Sequence, residues 1–578
     1  MLDLKNSTYA DIRPHSPTVY HRFELWMIND GKRYVYFGLW VLIELLLFSL
    51  AMVNYTYYPM WQNMYHLLGG TFISARGAAL VLHINTALIL FPVCRTVISW
   101  IRTTPLNRII PFDHALLFHK VVGYSILLFA LVHTASHYRN YYIVSKTYDV
   151  PYWKVLFTTG HSITGHIMLA CMVVMGITAH SKIRHKHFNL FWNLHHLFFV
   201  YFVCFSIHGG FCLLKTNLPP YCHTGAAFYK YWIGSGIIYL FERLSREYRA
   251  NRRAKGMRVQ KVILHPAKVL EVQFHKPRGF KGKAGQYAFL NCPAVSTQQW
   301  HPFTLTSAPE EDYVSVHIRV VGDWTRAFAA ALGAKEEHWK ALENSSANGA
   351  ASSSTVVDAQ DMEDLKAITA SILPQVLVDG PFGSASEDVF NHEIAMLFCA
   401  GIGCTPFASV LKSIWYRLSY RDGSFRLRKV YFVWVQRDTK SFEWFQDLLK
   451  AIEEEDDARM EFDVESSTYS LSRKSSSDDR MIEIHTYLTG NLSYAQMTHV
   501  HINFGEVDPI TGLRSPTNFG RPNLDLIFRA VAHEHPATDV GVFFCGPHKM
   551  GATIEAAAKK YSSEGQDGTK FYYNKENF

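Results

Sequence analysis

The sequence lacks the patterns of several common protein classes. Its nine cysteines include no CxxC pair, which argues against a zinc ribbon and against a dense disulfide framework. The net charge is only +8 over 578 residues, and the basic residues form short clusters beside apolar segments rather than one long stripe. The first apolar run begins too late, and lacks the flanks, to be a cleaved signal peptide. Nucleic-acid binding is therefore not expected, and membrane topology explains the basic clusters better.

Long apolar runs, by contrast, are abundant before residue 245. The chain is 48% hydrophobic and 14% aromatic, which is more than a soluble protein usually needs. Several runs are long enough to cross a hydrocarbon core of about 30 Å. They are Tyr34–Tyr55, Gly77–Ile101, Phe118–His137, Gly160–His180, Phe191–Ile207 and Phe228–Leu244. The sequence therefore predicts a six-span membrane domain over residues 34–250, preceded by a segment of residues 1–33.

Lysine and arginine in the short loops predict how the spans are oriented. Basic residues follow the second span in IRTTPLNR, the fourth span in SKIRHK and the sixth span in ERLSREYRANRRAKGMR. Because basic loops stay on the cytosolic side, we expect both termini and the C-terminal half in the cytosol. Asn54 in NYT then faces outward, as do Cys212 and Cys222. A glycan on Asn54 and a disulfide between the two cysteines both remain open.

Two of the predicted spans carry paired histidines. His119 and His133 are 14 residues apart on the third span, and His195 and His208 are 13 apart on the fifth. On an ideal helix, 14 residues rise about 21 Å and end only some 40° short of whole turns. Four imidazoles at two depths suit two stacked b-type haems, with His119 opposite His195 and His133 opposite His208. One intramembrane histidine is as easily a core residue, but a matched set of four is costly in lipid without a function.

The spacing on the fifth span raises a geometric difficulty. Thirteen residues turn an ideal helix by about 220°, so His195 and His208 point the same way only if the span tilts or contains a π-bulge. His196 does no better. We therefore predict that the fifth span is not an ideal helix.

Two further domains follow the last span. Residues 256–388 contain short strands such as VQKVILH, VLEVQFHK and VSVHIRVV, separated by Gly and Pro turns, which predicts an antiparallel β-barrel. Residues 390–578 alternate strands with helices, which predicts a doubly wound, nucleotide-binding α/β domain. Polar stretches near 343–364 and 465–480 have the composition of disordered surface insertions.

Short motifs in these domains indicate a family. The chain resembles the NADPH oxidases, the superoxide-generating family that includes the phagocyte enzyme, in QQWHPFTLTSAP, HIRVVGDWT, VDGPFG, AGIGCTPFASVLKS, RDTKSFEWF, YLTG, GRPN, FCGP and FYYNKENF. The resemblance runs from the first span to the last residue, apart from the two insertions. It implies a ferric reductase-like six-helix di-haem bundle followed by a ferredoxin–NADP-reductase-like module, made of a β-barrel FAD domain and an α/β NADP domain.

The resemblance also implies cofactor-binding residues. For FAD they are His301, Pro302, Phe303, Thr304, His317, Arg319, Trp324 and Thr325. For NADPH they are Gly401, Gly403, Thr405, Pro406, Arg437, Arg521, Gly546 and Pro547. Arg319 suits the FAD pyrophosphate, since a guanidinium binds phosphate bidentately, while the glycine turn lets backbone N–H groups approach phosphate. Arg437 at a strand end favours NADP over NAD, and Cys399 replaces the first glycine usual in the family.

Residues at both ends of the electron path follow from the same resemblance. Cys545 matches the residue near the nicotinamide, and Phe578 matches the terminal aromatic that stacks on the isoalloxazine until NADPH displaces it. Arg76 and His137 match the proposed oxygen site beside the outer haem, where a cation would stabilise superoxide. From the residues alone, Arg76 is also consistent with a snorkelling helix end, and Cys545 with an ordinary core residue. The expected reaction moves electrons from NADPH through FAD and two haems to oxygen, with superoxide as product.

Other functions fit part of this pattern. A ferric- or cupric-chelate reductase shares the fold, cofactors and haem spacing, and differs only in its acceptor. A haem-binding scaffold or sensor, or a reductase partner merely anchored at the membrane, fits less of the sequence. Whether superoxide or peroxide is released stays open.

The resemblance extends to partners and location. The short N-terminus has no calcium loop of the D-x-D-x-D-G type and is similar to the simpler oxidases, including the fungal ones. That implies cytosolic activators, including a Rac-type GTPase, together with a small partner protein in the membrane. The expected location is the plasma membrane or an endomembrane such as the endoplasmic reticulum or vesicles.

Overall fold

A computed structural model describes most of the chain in two units. The described residues are 18–211, 227–254, 257–347, 355–356, 373–419, 426–466, 480–492, 497, 507–563 and 568–576. One unit is Gly31–Ser245, and the other joins Met1–Asp30 to Arg246–Phe578. Most of both predicted insertions lies outside the described residues, as do Cys212, Cys222 and Phe578.

Helices make up the described chain before residue 255. They are α1 Val19–Trp26, α2 Lys32–Tyr57, α3 Gln62–Leu68, α4 Gly70–Leu88, α5 Arg95–Arg102, α6 Ala115–Thr147, α7 Tyr152–Thr158, α8 Gly160–Ala179, α9 Ser181–Lys186, α10 Phe188–His195, α11 Phe198–His208 and α12 Tyr229–Ala254. Within the described residues, five segments are long and apolar enough to cross a membrane. The sixth predicted span is also helical, as the first part of α12, but charged residues follow it closely along the same helix.

The second predicted span was wrong as one continuous helix, and the third predicted span lies inside a longer helix. The second helix begins at Gly70 rather than Gly77 and ends at Leu88, and a 3₁₀ turn at Phe91–Val93 separates it from α5. Pro92 lies in that turn, where its missing N–H prevents a continuous helix. The third helix continues through polar sequence to Thr147, because helix formation does not end where hydrophobicity does.

The fifth span is interrupted, as its histidine spacing predicted. Helix α10 ends at His195 and α11 begins at Phe198. The backbone N–H groups of His196 and Leu197 donate three residues back, to Asn193 at 3.3 Å and Leu194 at 3.1 Å. The interruption is therefore a tight 3₁₀-type turn rather than a π-bulge, and the overwound turn changes the direction in which the two histidines point.

Close packing in the membrane unit centres on α4. This helix packs against α2 and α6, and α8 packs against α11. A Cβ atom at Gly77 would lie 3.0 Å from the Phe48 ring, so α4 and α2 approach each other where a glycine removes the side chain. The lipid-facing sides carry exposed large apolar residues such as Leu42 and Leu128.

The first C-terminal domain is built from antiparallel strands, as predicted. They are β1 Val259–His265, β2 Val269–His275, β3 Tyr287–Asn291, β4 His301–Thr304, β5 Tyr313–Arg319, β6 Thr355–Val356 and β7 Leu377–Phe382. One sheet has the order β5-β2-β1-β6 and the other β4-β3-β7. Helices α13 Asp323–Ala331 and α14 Glu336–Ala347 follow β5. Alternating apolar residues of the strands, such as Leu270, Val272 and Val316, form the core of this domain.

The second C-terminal domain is the predicted parallel α/β sheet. Its strands are β8 Ile394–Ala400, β9 Lys429–Gln436, β10 Ile482–Leu488, β11 Asn518–Phe519, β12 Asp539–Cys545 and β13 Lys570–Lys575, and its helices are α15 Thr405–Ser419, α16 Glu443–Ser466, α17 Leu524–Glu534 and α18 His548–Tyr561. The strand order is β11-β10-β9-β8-β12-β13. The order reverses between β8 and β12, and ligands bind at the carboxyl ends of the strands at such a switch point.

The described N-terminal helix α1 belongs to the same unit as this α/β domain. Glu24 pairs with Lys570 at 2.6 Å, and the Asn29 side-chain oxygen accepts a 3.0 Å hydrogen bond from the Tyr573 N–H. The segment thus covers the edge strand β13.

Candidate functional site

The structure brings His119 and His195 together in the membrane unit. Their ring centres are 6.3 Å apart, with an interplanar angle of 61°. His119 Nδ1 lies 2.9 Å from the Ile89 carbonyl oxygen. Because a carbonyl only accepts, Nδ1 carries the proton and Nε2 keeps its lone pair. We call His119 and His195 the first pair.

His133 and His208 form a second pair with the same separation. Their ring centres are 6.3 Å apart at an interplanar angle of 58°. His133 Nδ1 lies 2.9 Å from the Ala75 carbonyl oxygen, and His208 Nδ1 lies 2.8 Å from the Thr164 hydroxyl oxygen. Both Nδ1 atoms therefore have a hydrogen-bond partner of the kind that orients a ligating imidazole.

The geometry of both pairs fits a six-coordinate haem iron. A metal bonded at about 2 Å to one nitrogen of each ring separates the ring centres by roughly 6 Å, as both pairs do. In three of the four rings, Nδ1 already bonds to protein, which leaves Nε2 for the metal. His195 Nδ1 is buried without a hydrogen-bond partner among the described residues. The sequence-based pairing therefore matches the observed neighbours.

Arg76 and His137 lie beside the second pair. The His137 ring centre is 4.5 Å from that of His133, and Arg76 follows Ala75 on α4. The Arg76 guanidinium stacks over Trp61 at 4.9 Å and Tyr55 at 5.6 Å. Within the described chain, Arg76 Nε and His137 Nδ1 are both buried without a hydrogen-bond partner. Two polar groups thus remain available to a small ligand next to the second pair.

The HPFT strand forms one wall of an aromatic cluster in the β-domain. The His301 ring stacks on Trp324 with centres 4.2 Å apart, and Phe303 lies 5.9 Å from the same indole. Thr304 is buried at the end of β4 and Pro302 is exposed. Burial lowers the pKa of His301 to about 4, so the ring is neutral at pH 7 and can donate as well as accept a hydrogen bond.

Two other predicted flavin residues, Thr325 and Arg319, lie outside this aromatic cluster. Thr325 caps α13, since its hydroxyl oxygen accepts from Gly322 N–H at 2.9 Å and from Val321 N–H at 3.1 Å. Its side chain therefore fixes the start of the helix that carries Trp324. Arg319 is exposed at the end of β5, where a guanidinium is accessible to an anionic group.

His317 lies in a buried polar cluster rather than in an open pocket. Its Nε2 is 3.4 Å from Glu271 Oε2, while His265 Nε2 is 3.1 Å from the same oxygen. Burial alone would raise the pKa of Glu271, but the two imidazoles hold that pKa well below its usual range. His317 also contacts Trp444, with ring centres 4.5 Å apart. This cluster thus joins the β-domain to the α/β domain.

The glycine turn of the α/β domain lies against Cys545. Strand β8 ends at Ala400, Gly401 has φ +60°, and α15 begins at Thr405. A Cβ atom at Gly403 would lie 2.5 Å from the Cys545 carbonyl oxygen, so the turn reaches the end of β12 only because this side chain is absent. Burial raises the pKa of the Cys545 thiol, which keeps it neutral.

Further predicted nucleotide residues surround this turn. Thr405 and Pro406 are buried in the first turn of α15, while Gly546 and Pro547 connect β12 to α18. Cys399, which departs from the family motif, is buried inside β8. The departure therefore leaves the turn itself unchanged.

Arg437 and Arg521 are exposed near the carboxyl edge of the parallel sheet. Arg437 directly follows β9, and a Cβ atom at Gly490 would overlap its carbonyl oxygen. The Thr489 N–H and hydroxyl both donate to the Gln436 carbonyl, at 2.8 and 2.9 Å. The chain after β10 therefore holds the backbone beneath Arg437.

Helix α15 is fixed to the β-domain loop that follows HPFT. Ser409 Oγ donates to the Ser307 carbonyl at 2.7 Å, Lys412 pairs with Glu311 at 3.2 Å, and Ser413 donates to Glu310 at 2.8 Å. The helix that begins at the glycine turn thus has a defined position relative to the HPFT strand.

The C-terminal tail is held by Glu576. Its buried carboxylate accepts hydrogen bonds from Ser384 Oγ at 2.8 Å, Ser386 Oγ at 2.6 Å and Ser386 N–H at 2.7 Å. Phe578, two residues later, lies outside the described residues. Glu576 therefore attaches the tail to the loop after β7, in the β-domain.

Glu576→Gln is expected to slow flavin reduction by NADPH about fivefold. The amide keeps one acceptor oxygen but loses the charge that strengthens the three hydrogen bonds to Oε1, and a hydrogen bond to a charged group contributes about 1.5–3 kcal/mol against about 1 kcal/mol for a neutral one. Stopped-flow absorbance of the flavin measures the rate. Glu336→Gln is the matched control, because that carboxylate is exposed and pairs only with a surface lysine. Equal rates of flavin reduction in both variants and the parent would show that the hydrogen bonds of Glu576 do not position the tail for this reaction.

Sequence reasoning did not select Trp444, Gly490 or Glu576. All three lie in quoted motifs, namely RDTKSFEWF, YLTG and FYYNKENF. Their roles depend on contacts with segments far away in the chain, so the motif letters alone gave no signal of what each residue does.

Three family models match this chain in succession. The model described as ferric reductase like transmembrane component matches residues 80–206. The FAD-binding domain model matches residues 254–386, and the ferric reductase NAD binding domain model matches residues 392–559. The matched order agrees with the membrane, antiparallel and α/β domains described above.

Curated relatives match over almost the whole chain. NADPH oxidase 1 of Mus musculus is 33% identical and covers 97% of this chain and 96% of its own. A superoxide-generating NADPH oxidase heavy chain of Dictyostelium discoideum is 35% identical, covering 96% and 98% respectively. NADPH oxidase 3 of Homo sapiens is 33% identical, covering 96% and 99%.

Proposed function

The chain belongs to the NADPH oxidase family, and from that premise we propose that it transfers electrons from NADPH through FAD and two b-type haems across the membrane to molecular oxygen, forming superoxide. The observation that carries the proposal is the presence of two histidine pairs with equal ring separations, with Arg76 and His137 beside one of them only. A chain of this kind has a donor domain, two intramembrane metal positions and one small polar site for the acceptor.

The residues that would hold the cofactors have separate tasks. When bound, FAD accepts a hydride and releases electrons singly, and haem iron passes on one electron at a time. The first and second pairs would hold the haems, with the Ile89 and Ala75 carbonyls fixing the tautomer. His301, Pro302, Phe303, Thr304, His317, Arg319, Trp324 and Thr325 would form or support the flavin site.

The donor end would lie at the glycine turn. Gly401, Gly403, Thr405 and Pro406 would present backbone N–H groups to phosphate. Arg437 and Arg521 would bind the 2′-phosphate that distinguishes NADPH from NADH. Cys545, with Gly546 and Pro547 after it, would lie beside the nicotinamide, and Phe578 would occupy the nicotinamide position until NADPH arrives. The Glu576 hydrogen bonds support this placement of the tail.

The acceptor end would lie beside the second pair. The Arg76 guanidinium is a fixed positive charge on a helix that also orients His133 through Ala75. A positive charge in a low-dielectric site stabilises a forming superoxide anion more than neutral oxygen. His137 supplies a second polar group within the same small volume.

Topology and domain bounds complete the proposal. We assign residues 34–250 to the membrane domain, 256–388 to the FAD domain and 390–578 to the NADPH domain. The basic loops support cytosolic termini, with the protein in the plasma membrane or an endomembrane. Resemblance to the shorter oxidases supports cytosolic activators, including a Rac-type GTPase, and a small partner protein in the membrane.

A ferric- or cupric-chelate reductase is the second candidate, because two of the matching family models are described as ferric reductase components. It would use the same donor and metal positions. The full-length relatives favour oxygen as acceptor. The buried Arg76 Nε and His137 Nδ1, which have no hydrogen-bond partner among the described residues, suit a small anionic product.

NADPH-driven turnover in proteoliposomes tests the assignment. We expect superoxide, measured as dismutase-sensitive reduction of a soluble probe, with oxygen as the preferred acceptor in the presence of cytosolic extract. The same vesicles are then given an iron chelate without oxygen. Iron reduction as fast as oxygen reduction, with no dismutase-sensitive signal, would replace the oxidase by the chelate reductase.

A further inference from the structure

One carboxylate lies buried in the middle of a membrane helix. Glu44 is 12 residues after the start of α2 at Lys32 and 13 before its end at Tyr57, so it lies about 18–20 Å from either end. It is 6% exposed. Ionisable residues at such a depth are costly and generally mark a function.

Glu44 belongs to a network with too few hydrogen-bond donors. Asn85 Nδ2 donates to Glu44 Oε1, and the Ser125 hydroxyl lies 3.0 and 2.9 Å from the two carboxylate oxygens. Asn85 Nδ2 also lies 3.0 Å from Ser125 Oγ. The single hydroxyl proton reaches only one oxygen, and Asn85 Oδ1 is buried without a donor among the described residues. One additional proton on Glu44 would let its second oxygen donate to the Ser125 hydroxyl oxygen, so that both Ser125 contacts become hydrogen bonds.

No cation neutralises the carboxylate. Within the described chain, no lysine, arginine or histidine lies at ion-pair distance from it, and its hydrogen bonds are those to Asn85 and Ser125. The cations and imidazoles of α2 and of the helices packed against it have other contacts or lie elsewhere along the helices. They are Lys32 and Arg33 on α2, His66 on α3, Arg76 and His83 on α4, and His119, Lys120, His133, His137, Arg139 and Lys146 on α6. His83 stacks on Tyr231 at 4.0 Å. An uncompensated buried carboxylate strongly favours binding a proton.

The network lies at a level between the two histidine pairs. Ser125 is six residues after His119 and eight before His133 on α6, which corresponds to about 9 Å and about 12 Å along the helix. An electron added at either pair places a negative charge in a low-dielectric region. That charge raises the proton affinity of a nearby carboxylate, and more so from the first pair, which is closer along the helix.

We propose that Glu44 is an intramembrane proton-binding site that takes up one proton when an electron reaches the first pair. The inference rests on the proposed haem function. One electron from reduced flavin converts ferric to ferrous iron, and one proton from water forms an O–H bond on Glu44. The proton is released to water when the electron moves on to oxygen, so charge and atoms balance. Asn85 and Ser125 are the positioning residues of this site.

The test is a redox titration of the purified, haem-loaded full chain between about pH 6 and about pH 8. If one proton accompanies one electron, the apparent reduction constant changes tenfold per pH unit, which corresponds to about 59 mV. We expect this slope for one haem of the parent protein, and its loss in Glu44→Gln. Glu44→Asp keeps an acid at the site and should retain a slope.

Glu242→Gln is the matched control. Glu242 is a second buried carboxylate of the membrane unit, 2% exposed, and it accepts a 2.8 Å hydrogen bond from the Thr96 N–H. Its removal should leave the slope intact. Reduced-minus-oxidised infrared spectra give an independent readout, since a protonated carboxyl C=O band should appear on reduction of the parent and be missing in Glu44→Gln.

The outcomes separate this inference from the proposed function. Reversible haem spectra with pH-independent potentials in the parent would overturn the proton site while leaving electron transfer intact. A slope that persists in Glu44→Gln would also overturn it, and would leave Glu44 as a helix-packing residue. Absence of any reducible haem would overturn the electron path and the proton site together. If Glu44→Gln does not retain haem, three other results test the proton site: the pH slope of the parent, the pH slope of Glu44→Asp and the carboxyl infrared band of the parent. Absence of the slope or of the band in the parent would then overturn the proposal.

Discussion

Replacing His195 by leucine is expected to abolish NADPH-driven oxygen reduction, with a fall of more than about 100-fold. The first pair consists of His119 and His195 with ring centres 6.3 Å apart, and leucine has no nitrogen to complete it. Loss of an outer-shell partner alone costs a metal site about 10–100-fold, so loss of a direct ligand costs more. Haem content should fall by about half, because the second pair uses other residues.

The adjacent histidine provides a stringent control. His196 is exposed, and its Nδ1 lies 2.7 Å from the Trp192 carbonyl oxygen of its own helix. His196→Leu removes an imidazole from the same turn without touching either pair, so haem content and turnover should remain near the parent values. The pyridine haemochrome spectrum measures haem per chain, and superoxide release measures turnover. Full haem content in His195→Leu, or equal losses in both variants, would show that the assigned ligands are wrong.

The two histidine pairs were predictable in outline because histidines at matched spacing stand out in apolar sequence. The spacing of His119, His133, His195 and His208 predicted both partners and depths, and it also required an irregular fifth span. The position of the irregularity was not predictable. It depends on which carbonyls the His196 and Leu197 N–H groups reach, and a 3₁₀ turn has no distinctive residue type in this segment.

The contact of Glu44 with Asn85 and Ser125 in the same unit could not be predicted from the sequence pattern. Glu44 is a single charge in a run of apolar residues, and no spacing rule connects it to Asn85 or Ser125. The structure joins them because α2, α4 and α6 pack around one point. A sequence motif consists of residues that are neighbours along the chain, whereas Glu44, Asn85 and Ser125 are separated from one another by 40 residues or more.

In the two C-terminal domains, strand patterns predicted the architecture better than they predicted side-chain roles. The alternation of strands and helices after residue 390 gave the parallel sheet, since buried parallel strands are continuous apolar runs. The flavin role of His317 stays a prediction, but its contact with Glu271 was not predicted. The register of β2 and β5 places these two residues opposite each other, and Trp444 closes the cluster from the other domain. A local motif predicts neither the register of two strands nor the packing of two domains.

Gly403→Ala is expected to disable the donor end while leaving the haem sites intact. The new Cβ atom would lie 2.5 Å from the Cys545 carbonyl oxygen, and a backbone atom inside a parallel sheet cannot rotate away as a flexible side chain can. The glycine turn must therefore move relative to β12. Overpacking of this kind costs about 1–3 kcal/mol, which, if it falls wholly on binding, corresponds to about a 5- to 140-fold weaker affinity for NADPH.

Flavin reduction across a series of NADPH concentrations measures this effect directly. The Gly403→Ala protein should require about 5- to 140-fold more NADPH, while its dithionite-reduced haem spectrum should match the parent, because the membrane unit is unchanged. Gly282→Ala is the matched control, since a Cβ atom there would be at an ordinary 3.6 Å contact distance from Phe280. An unaltered NADPH dependence in Gly403→Ala would mean that the turn and Cys545 do not form one nucleotide site, and would move the donor end elsewhere along the sheet edge.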